Sequence, residues 1–265
     1  MSAERTNKVI TTSPLTGGFE TIKVDAWTLS HRELNAKLRE LVSNGARKIK
    51  LHNVYGQRYI GTDLDKPVEI EIFGTPGNDL GAFMDGPRII VHGNAQDGCG
   101  NTMNDGEIII HGHAGDILGL SARGGKIFVK EDVGYRAGIH MKEYQDKKPM
   151  VIIGGTAQDF LGEYMAGGIL ILLGLNLKEG DGHKANFIGT GMHGGVIYMR
   201  GEVQEFQLGK EVGVAELDES DYLILKGLIG EFAHHFGYDA EEILRYKFTK
   251  LFPLYLRPYG RLYAY

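Results

Sequence analysis

The chain has 265 residues, of which 42% are hydrophobic and 24% charged, which suits a soluble protein with a core large enough for one large domain or two small ones. Its net charge of -5 gives no basic footprint for nucleic acid, and one cysteine, Cys99, excludes a disulfide framework and a cysteine-ligated iron–sulfur cluster. No apolar run is long enough to span a membrane and no signal peptide opens the sequence, so a cytoplasmic protein is expected.

The first predicted element is a helix. Ser30 and Glu33 form a capping-box pattern, Leu34, Leu38, Leu41 and Val42 follow at helical spacing, and Asn44-Gly45 ends the run. This amphipathic helix is expected to cover the N-terminal end of the core. Residues 1–47 are therefore assigned to an N-terminal segment with a capping helix.

A distinctive stretch, GQRYIG at 56–61, follows the predicted helix. It lies inside KIKLHNVYGQRYIGTDLDKPV, a degenerate first copy of the repeat described next. Gln57, Arg58 and Tyr59 either face a partner or ligand or brace the first turn of the fold. The sequence leaves both interpretations open.

A repeat of 19 residues dominates the middle of the chain, with units at 69–87, 88–106, 107–125 and 150–168. The units that begin at Lys126 and Ile169 carry five and eight extra residues, respectively. The second and fourth positions of each unit are apolar, as in Ile70 and Ile72. The thirteenth position is glycine throughout: Gly81, Gly100, Gly119, Gly138, Gly162 and Gly189.

One short β-branched strand per unit, with a fixed turn pattern, is typical of a parallel β-helix. We therefore predict an all-β core, a single-stranded right-handed parallel β-helix of about seven or eight coils over residues 48–215. The second and fourth positions would fill the core. The column glycines would allow each coil to turn and stack, either through a positive φ or through the absence of a Cβ.

The outward positions of the repeat predict three further features. The first column, Glu69, Arg88, Glu107 and Lys126, alternates in charge and predicts an ion-pair ladder. The third column is apolar and must be covered by a helix from the termini or by a partner subunit, so Ile152, Ile171 and Tyr198 are candidate partner-facing residues. A polar column, Asn78, Asp97, Asp116 and Asp159, is expected to bond to turn backbone.

Two helices and a tail are predicted after the repeat, in residues 216–265. Leu223, Leu225, Ile229, Phe232 and Phe236 mark a helix stopped by Gly237. A third helix is expected to start at Asp239, to carry Ile243, Leu244 and Phe248, and to stop near Pro253. The tail LYLRPYGRLYAY is aromatic and lightly basic, which suits docking on a partner or packing on its own domain.

Motifs that would carry chemistry are weak. GTGMHGG at 189–195 has the spacing of a dinucleotide loop, but a strand rather than a helix is predicted after it. His92 and His111 share the fifth column without a carboxylate to complete a metal site, and are expected to be surface residues. Cys99 has no evident base partner and is expected to be a buried, inert thiol. No catalytic, cofactor-binding or metal-binding residue is assigned.

The glycine columns resemble the GXGXG β-helix domain at the C-terminal end of the glutamate synthase large subunit, in its free-standing subunit form. GTPGNDLGAFM, GNAQDGCG, FLGEYMAGG, NVYGQRYIG and the segment LKGLIGEFAHHFG carry the resemblance, which covers nearly the whole chain. The β-helical subunit of formylmethanofuran dehydrogenase resembles the repeats, but resembles GQRYIG and the C-terminal helices less well.

The resemblance implies a non-catalytic scaffold subunit that supports glutamate biosynthesis from glutamine and 2-oxoglutarate, and hence nitrogen assimilation. The partners would be an amidotransferase subunit and a synthase subunit that holds FMN and iron–sulfur clusters, with homo-oligomers when the chain is isolated. The family's N-terminal cysteine nucleophile and iron–sulfur cysteines have no counterpart here. The alternatives are a scaffold in a formylmethanofuran dehydrogenase-like complex and an intrinsic hydrolase built on the β-helix.

Overall fold

A computed structural model describes residues 10–12, 20–178 and 180–255. Within these ranges the strands are β1 Ile10–Thr12, β2 Thr21–Asp25, β3 Lys48–Tyr55, β4 Glu69–Thr75, β5 Asp85–Val91, β6 Asp105–Ile110, β7 Lys126–Val129, β8 Met150–Ile153, β9 Ala166–Leu172, β10 Gly194–Arg200, β11 Val212–Ala215 and β12 Phe248–Pro253. The helices are α1 His31–Ser43, α2 Glu219–Phe236 and α3 Ala240–Leu244, with a short 3-10 helix at Glu205–Gln207.

Strands β2 to β10 stack in parallel, each beside its neighbour in the chain, so the predicted parallel β-helix is confirmed. The pairing keeps the repeat in register, because Ile89 lies opposite Ile70 on one side and opposite Ile108 on the other. The second- and fourth-column side chains are buried in one continuous core. A one-residue slip would turn these side chains outward, so burial itself fixes the register.

The turn after each strand places alternate residues in the left-handed region. In one coil, φ is 66° at Phe160, 67° at Gly162 and 51° at Tyr164. Only the middle position requires glycine, since a Cβ on Gly162 would lie 2.6 Å from Cδ1 of the core residue Ile197. The flanking side chains point away from the core, and Tyr164 is exposed. The glycine column therefore exists because the core leaves no room for a Cβ.

The polar column bonds neighbouring coils to each other. The Asp97 carboxylate accepts the backbone N–H of Asp116 at 2.9 Å, and the Asp116 carboxylate accepts that of Tyr135 at 2.8 Å. Asp159 accepts the N–H of Asn186 in the same way, at 2.8 Å. The prediction is therefore confirmed for the three aspartates. Each carboxylate satisfies a turn donor that the strand ladder does not reach.

The first-column charges form the predicted ladder. The guanidinium of Arg88 lies 2.9 Å from Glu69 and 2.6 Å from Glu107. Lys126 leaves the ladder and pairs at 2.6 Å with Glu231 of α2. Exposed pairs of this kind contribute little to stability, and the Lys126 pair adds one contact between the solenoid and α2.

Helix α2 covers the apolar third column. Phe128, Ile152, Ile171 and Tyr198 form one buried cluster with the inner face of α2. That inner face consists of Leu225, Leu228, Ile229 and Phe232. Of the two covers expected for this column, a terminal helix or a partner subunit, the chain's own helix is the one that is present.

The N-terminal end of α2 is anchored by a buried polar network. The Tyr198 hydroxyl donates to Asp221 at 2.5 Å, and Nζ of Lys250 lies 2.6 Å from the other carboxylate oxygen. Burial would raise the pKa of Asp221, but the bonds from Lys250 and Tyr198 outweigh it and lower that pKa. The network joins α2 to strands β10 and β12.

Helix α1 matches its prediction. Ser30 caps it, and the reciprocal bonds between Ser30 and Glu33 complete a capping box. Its apolar stripe, Leu34, Leu38 and Val42, joins the solenoid core. The stripe is buried at the end of the core where the first coil begins.

The third helix is shorter than predicted. Helix α3 ends at Leu244, and Phe248 lies on β12, which pairs antiparallel with β10. The prediction that this helix runs to Pro253 was wrong, because the open edge of β10 offers backbone hydrogen bonds that outweigh local helix propensity. Residues 256–265 of the aromatic tail lie outside the described ranges.

Strand β12, placed between β10 and the short edge strand β11, ends the parallel stack. Its antiparallel direction interrupts the parallel register that a further coil would need. No helix within the described ranges is both long and apolar enough to cross a bilayer.

Candidate functional site

The fifth-column histidines belong to a stack of rings on the outer face of the solenoid. His52 stacks on Phe73 at 4.8 Å, Phe73 on His92 at 4.5 Å, and His92 on His111 at 5.4 Å. His111 then meets the edge of Phe236 in α2 at 5.2 Å. Within the described part of the chain, no group of three or more His, Cys, Asp or Glu side chains is placed to hold a metal ion. In this arrangement the rings pack against one another.

A shallow cleft of about 340 Å³ lies between the solenoid and the α2–α3 connection, and it is lined by His113, Lys130, Glu131, Asn176 and Tyr238, among others. Nδ1 of His113 accepts the backbone N–H of Asp132 at 3.2 Å, which leaves Nε2 to donate to Glu131 at 2.8 Å. Both ring nitrogens thus have partners that hold one coil against the next. The cleft gathers polar groups, but its histidine is already used by the fold.

Two other features flagged by the sequence are structural. Cys99 is buried, and burial raises the pKa of its thiol far above the ordinary range, so the reactive thiolate is suppressed. Gly189 and Gly191 of GTGMHGG are left-handed turn positions, with φ of 67° and 70°. Strand β10 follows them at once. A dinucleotide loop would need a helix there.

The candidate partner-facing residues of the third column do not face outward. Ile152 and Ile171 are fully buried and Tyr198 is 1% exposed, all beneath α2. The prediction that these three residues face a partner is therefore corrected, because the chain covers this surface itself. The sequence requires a cover on the column, but only the path of the chain decides which segment supplies it.

Gln57 of GQRYIG is a brace. Its side chain is 9% exposed, and its amide oxygen accepts the N–H of Tyr55 at 2.7 Å. Its amide nitrogen donates to the carbonyl of Ala26 at 2.8 Å and to that of Leu29 at 3.2 Å. One buried amide thus fixes the first coil turn to the segment between β2 and α1.

Exposed aromatic residues stand on both segments that Gln57 joins. Trp27 is 70% exposed and Tyr55 is 85% exposed. Arg58 and Tyr59, the other two candidates from GQRYIG, are exposed as well. We call Trp27, Tyr55, Arg58 and Tyr59 the N-terminal aromatic surface. The two open interpretations of GQRYIG thus divide by residue, with Gln57 as brace and its neighbours on the surface.

The backbone beneath this surface is held by further polar bonds. One carboxylate oxygen of Asp25 accepts the N–H of Trp27 at 3.0 Å and the side-chain amide of Asn53 at 3.0 Å. The bond from the Trp27 N–H is the main cause that lowers the pKa of Asp25. Asn53 sits at φ 58°, where β3 departs from its register with β4. The aromatic side chains therefore project from a fixed frame.

Trp27 was missed by sequence reasoning. It is the only tryptophan in the chain, and it stands between the end of β2 and the cap of α1. The sequence did offer one signal for an exposed aromatic residue, because this tryptophan stands alone in a short polar connection and outside any apolar periodicity. The sequence does not show that this connection meets GQRYIG in space.

The C-terminal end of α2 makes the fold sensitive to acid. Burial lowers the pKa of His111 and of His235, the latter packing edge-on against Phe128 at 4.8 Å. A histidine whose pKa is lowered by folding binds its proton more readily in the unfolded chain than in the folded one. Its contribution to the free energy of unfolding is therefore fully present above about pH 6.5, and it is lost as the pH falls below that value.

We therefore expect the melting temperature to fall between about pH 7.5 and about pH 5.5. Replacement of both His111 and His235 by glutamine should make this profile shallower, while His183, whose pKa burial also lowers, keeps part of the slope. Replacement of the exposed His234, in the same helical turn, is the control and should leave the slope as it is. A wild-type melting temperature that stays constant across this window would contradict the assignment.

The chain resembles known sequences over nearly its full length. The family model described as GXGXG motif matches residues 24–257. A relative from Methanocaldococcus jannaschii, named "Uncharacterized protein MJ1350", is 52% identical over 255 residues, which are 93% of this chain and 98% of the relative. The left-handed, every-second-residue turn described above has the spacing that the motif is named for. The chain belongs to the GXGXG motif family.

Proposed function

We propose that this chain is a non-catalytic structural subunit of a glutamate synthase-type oxidoreductase. It would associate with an amidotransferase subunit and with a synthase subunit that carries FMN and iron–sulfur clusters. The complex would form glutamate from glutamine and 2-oxoglutarate. Membership of the GXGXG motif family supports this proposal, and the N-terminal aromatic surface is the observation that carries the scaffold role.

This surface supports a scaffold role because its large side chains are exposed to solvent, and an exposed side chain adds no burial energy to the stability of the fold. The chain covers two of its other apolar surfaces itself, with α1 over the N-terminal end of the core and α2 over the third column. Trp27 and Tyr55 stay open although a buried amide fixes their backbone. Tyrosine, tryptophan and arginine are the residues that most often dominate binding at protein interfaces.

Co-expression of this chain with the amidotransferase and synthase subunits tests the proposal. We expect the three to co-elute in size-exclusion chromatography, with flavin and iron in fractions that contain the synthase subunit. If the other two subunits associate and turn over while this chain elutes alone, the proposal is wrong. Association with a molybdenum or tungsten subunit instead would assign the chain to a formylmethanofuran dehydrogenase-like complex.

A further inference from the structure

We propose that His183 is an acid-sensitive latch, which holds residues 180–185 against the solenoid and releases them when its ring takes up a second proton. This device is independent of the proposed complex. The segment lies in the repeat unit that carries eight extra residues, outside strands β9 and β10, so it can move without breaking the strand ladder.

His183 is the buried anchor of a stretch that is otherwise largely exposed. The residue is 6% exposed, and its ring lies over Gly174, where a Cβ would come within 2.6 Å of the ring atom Cε1. The exposed residues of the stretch are Gly180, Asp181, Gly182 and Lys184. Apart from the small Ala185, the histidine ring is therefore the one side chain that packs this stretch into the protein.

The hydrogen bonds of the ring fix which nitrogen carries the hydrogen. Nε2 lies 2.9 Å from the backbone carbonyl oxygen of Arg200, at the end of β10. A carbonyl oxygen only accepts, so in the neutral ring Nε2 carries the hydrogen and Nδ1 keeps a lone pair. Nδ1 is buried, and no group in the described part of the chain bonds to it. A second proton would therefore place a buried N–H where no acceptor stands, and opening the segment to water removes that cost.

The charged group that faces this ring also opposes a second proton. The Arg200 guanidinium comes from β10 and lies over the ring of Tyr246 at 3.7 Å. Burial is the largest cause that lowers the pKa of His183, and the Arg200 charge adds to it, while the bond to the Arg200 carbonyl acts in the opposite direction. The charged side chains of the neighbouring stretches are exposed to solvent: Lys178, Asp181, Lys184, Glu202 and Glu205.

Neighbouring bonds limit how far the segment can open. The amide nitrogen of Gln207 donates to the carbonyls of His183 and Ala185, at 2.7 and 2.9 Å. These bonds do not change over the pH range in which histidine titrates, so the ring alone makes closure sensitive to acid. The N–H of Asn186 donates to Asp159 at 2.8 Å, so the released stretch ends at Ala185.

The lowered pKa sets the direction of the response. The open segment leaves His183 in water, where it binds a proton at about the ordinary pH of 6.5, whereas in the closed segment it binds one only at lower pH. The segment is therefore closed above about pH 6.5 and opens as the pH falls below that value. One linked proton raises the open population by up to about tenfold for each pH unit of that fall.

Nitrogen NMR of the imidazole rings in the full-length chain tests the latch itself, and His183→Gln identifies the signals. We expect His183 to be neutral at pH 7.5, with its hydrogen on Nε2, and to titrate below about pH 6.5. A hydrogen on Nδ1 of the neutral ring, or titration at or above the ordinary value, would overturn the proposal.

Thiol labelling of Ala185→Cys tests the release, since Ala185 is 1% exposed in the closed segment. A dipyridyl disulfide, which reacts at acid pH, is the reagent, and Lys184→Cys at an exposed position gives the reference rate at each pH. We expect labelling relative to this reference to rise by up to about tenfold from pH 7.5 to pH 5.5. His183→Gln retains a donor for the Arg200 carbonyl but does not titrate, and should abolish the rise. The exposed His234→Gln is the matched control and should keep it.

Further comparisons separate local opening from other causes. Cys99 is buried in the core, so it is labelled only when the whole chain unfolds. If Cys99 is labelled as fast as the thiol of Ala185→Cys, or if the acid response persists in His183→Gln, the latch is wrong. Should Ala185→Cys by itself loosen the segment at pH 7.5, the backbone heteronuclear NOE of Lys184 in the wild-type chain takes its place. That NOE should fall between pH 7.5 and pH 5.5, and a constant value would contradict the latch.

Discussion

Replacement of Gly162 by alanine is expected to destabilise the chain by about 2–5 kcal/mol. Left-handed backbone with a Cβ costs about 1–2 kcal/mol, and overpacking costs about 1–3 kcal/mol more. The added methyl would lie 2.6 Å from Cδ1 of Ile197, which is fully buried. Thermal unfolding followed by circular dichroism measures the loss.

Two controls separate the strain from the clash. Gly237, the C-cap of α2, has φ 75° and nothing within 4 Å of the place that a Cβ would take, so Gly237→Ala incurs the left-handed strain alone. Ile197→Val removes Cδ1, and combined with Gly162→Ala it should be more stable than the sum of the single effects. If Gly162→Ala is no worse than Gly237→Ala, the core does not set the glycine column.

Replacement of Phe232 by alanine is expected to release α2 from the solenoid. Phe232 is fully buried, stacks near Tyr238 at 5.7 Å and meets the edge of Phe236 at 4.8 Å. It lies over Gly154, where a Cβ would come within 2.6 Å of its ring. Truncation of a buried phenylalanine costs about 3–5 kcal/mol, because a cavity adds to the lost transfer energy.

Hydrogen exchange shows which part of the chain is destabilised by this substitution. Amides of α2 in Phe232→Ala should lose protection while those of β3 and β4 keep theirs, since the buried side chains of these two strands lie outside the cluster that contains this ring. Leu223→Ala is the control on the same helix, because Leu223 is 72% exposed and such substitutions stay within about 0.5 kcal/mol. Full protection of α2 in Phe232→Ala would show that the ring does not hold the cover in place.

The repeat and the role of its glycines were predictable because each coil meets the next through equivalent positions. Ile70, Ile89 and Ile108 recur in the sequence and pair in space for the same reason, a constant rise from strand to strand. The aspartate column and the charge ladder follow from the same equivalence. The cap of α1 was predictable because a capping box involves only Ser30 and Glu33, which lie within one short segment of the chain.

Segments that meet only once were not predictable. The strand at Phe248–Pro253 was predicted as helix, because nothing within those residues indicates that the edge of β10 is vacant. A terminal helix and a partner subunit were both predicted as covers for Ile152, Ile171 and Tyr198, and only the path of the chain shows that α2 is the cover. The pair between Lys126 and Glu231 that helps to place this cover joins residues 105 positions apart.

The sequence by itself determined the parallel solenoid, the core columns and the glycine turns. In a periodic fold each coil makes equivalent contacts, and equivalent contacts require similar residues at the same position of every repeat. Only the tertiary structure decided which apolar side chains remain exposed to solvent. Trp27 and Tyr55 form one surface because Gln57 bonds to Ala26, which lies 31 positions before it. A contact made once, between distant segments, leaves no period in the sequence.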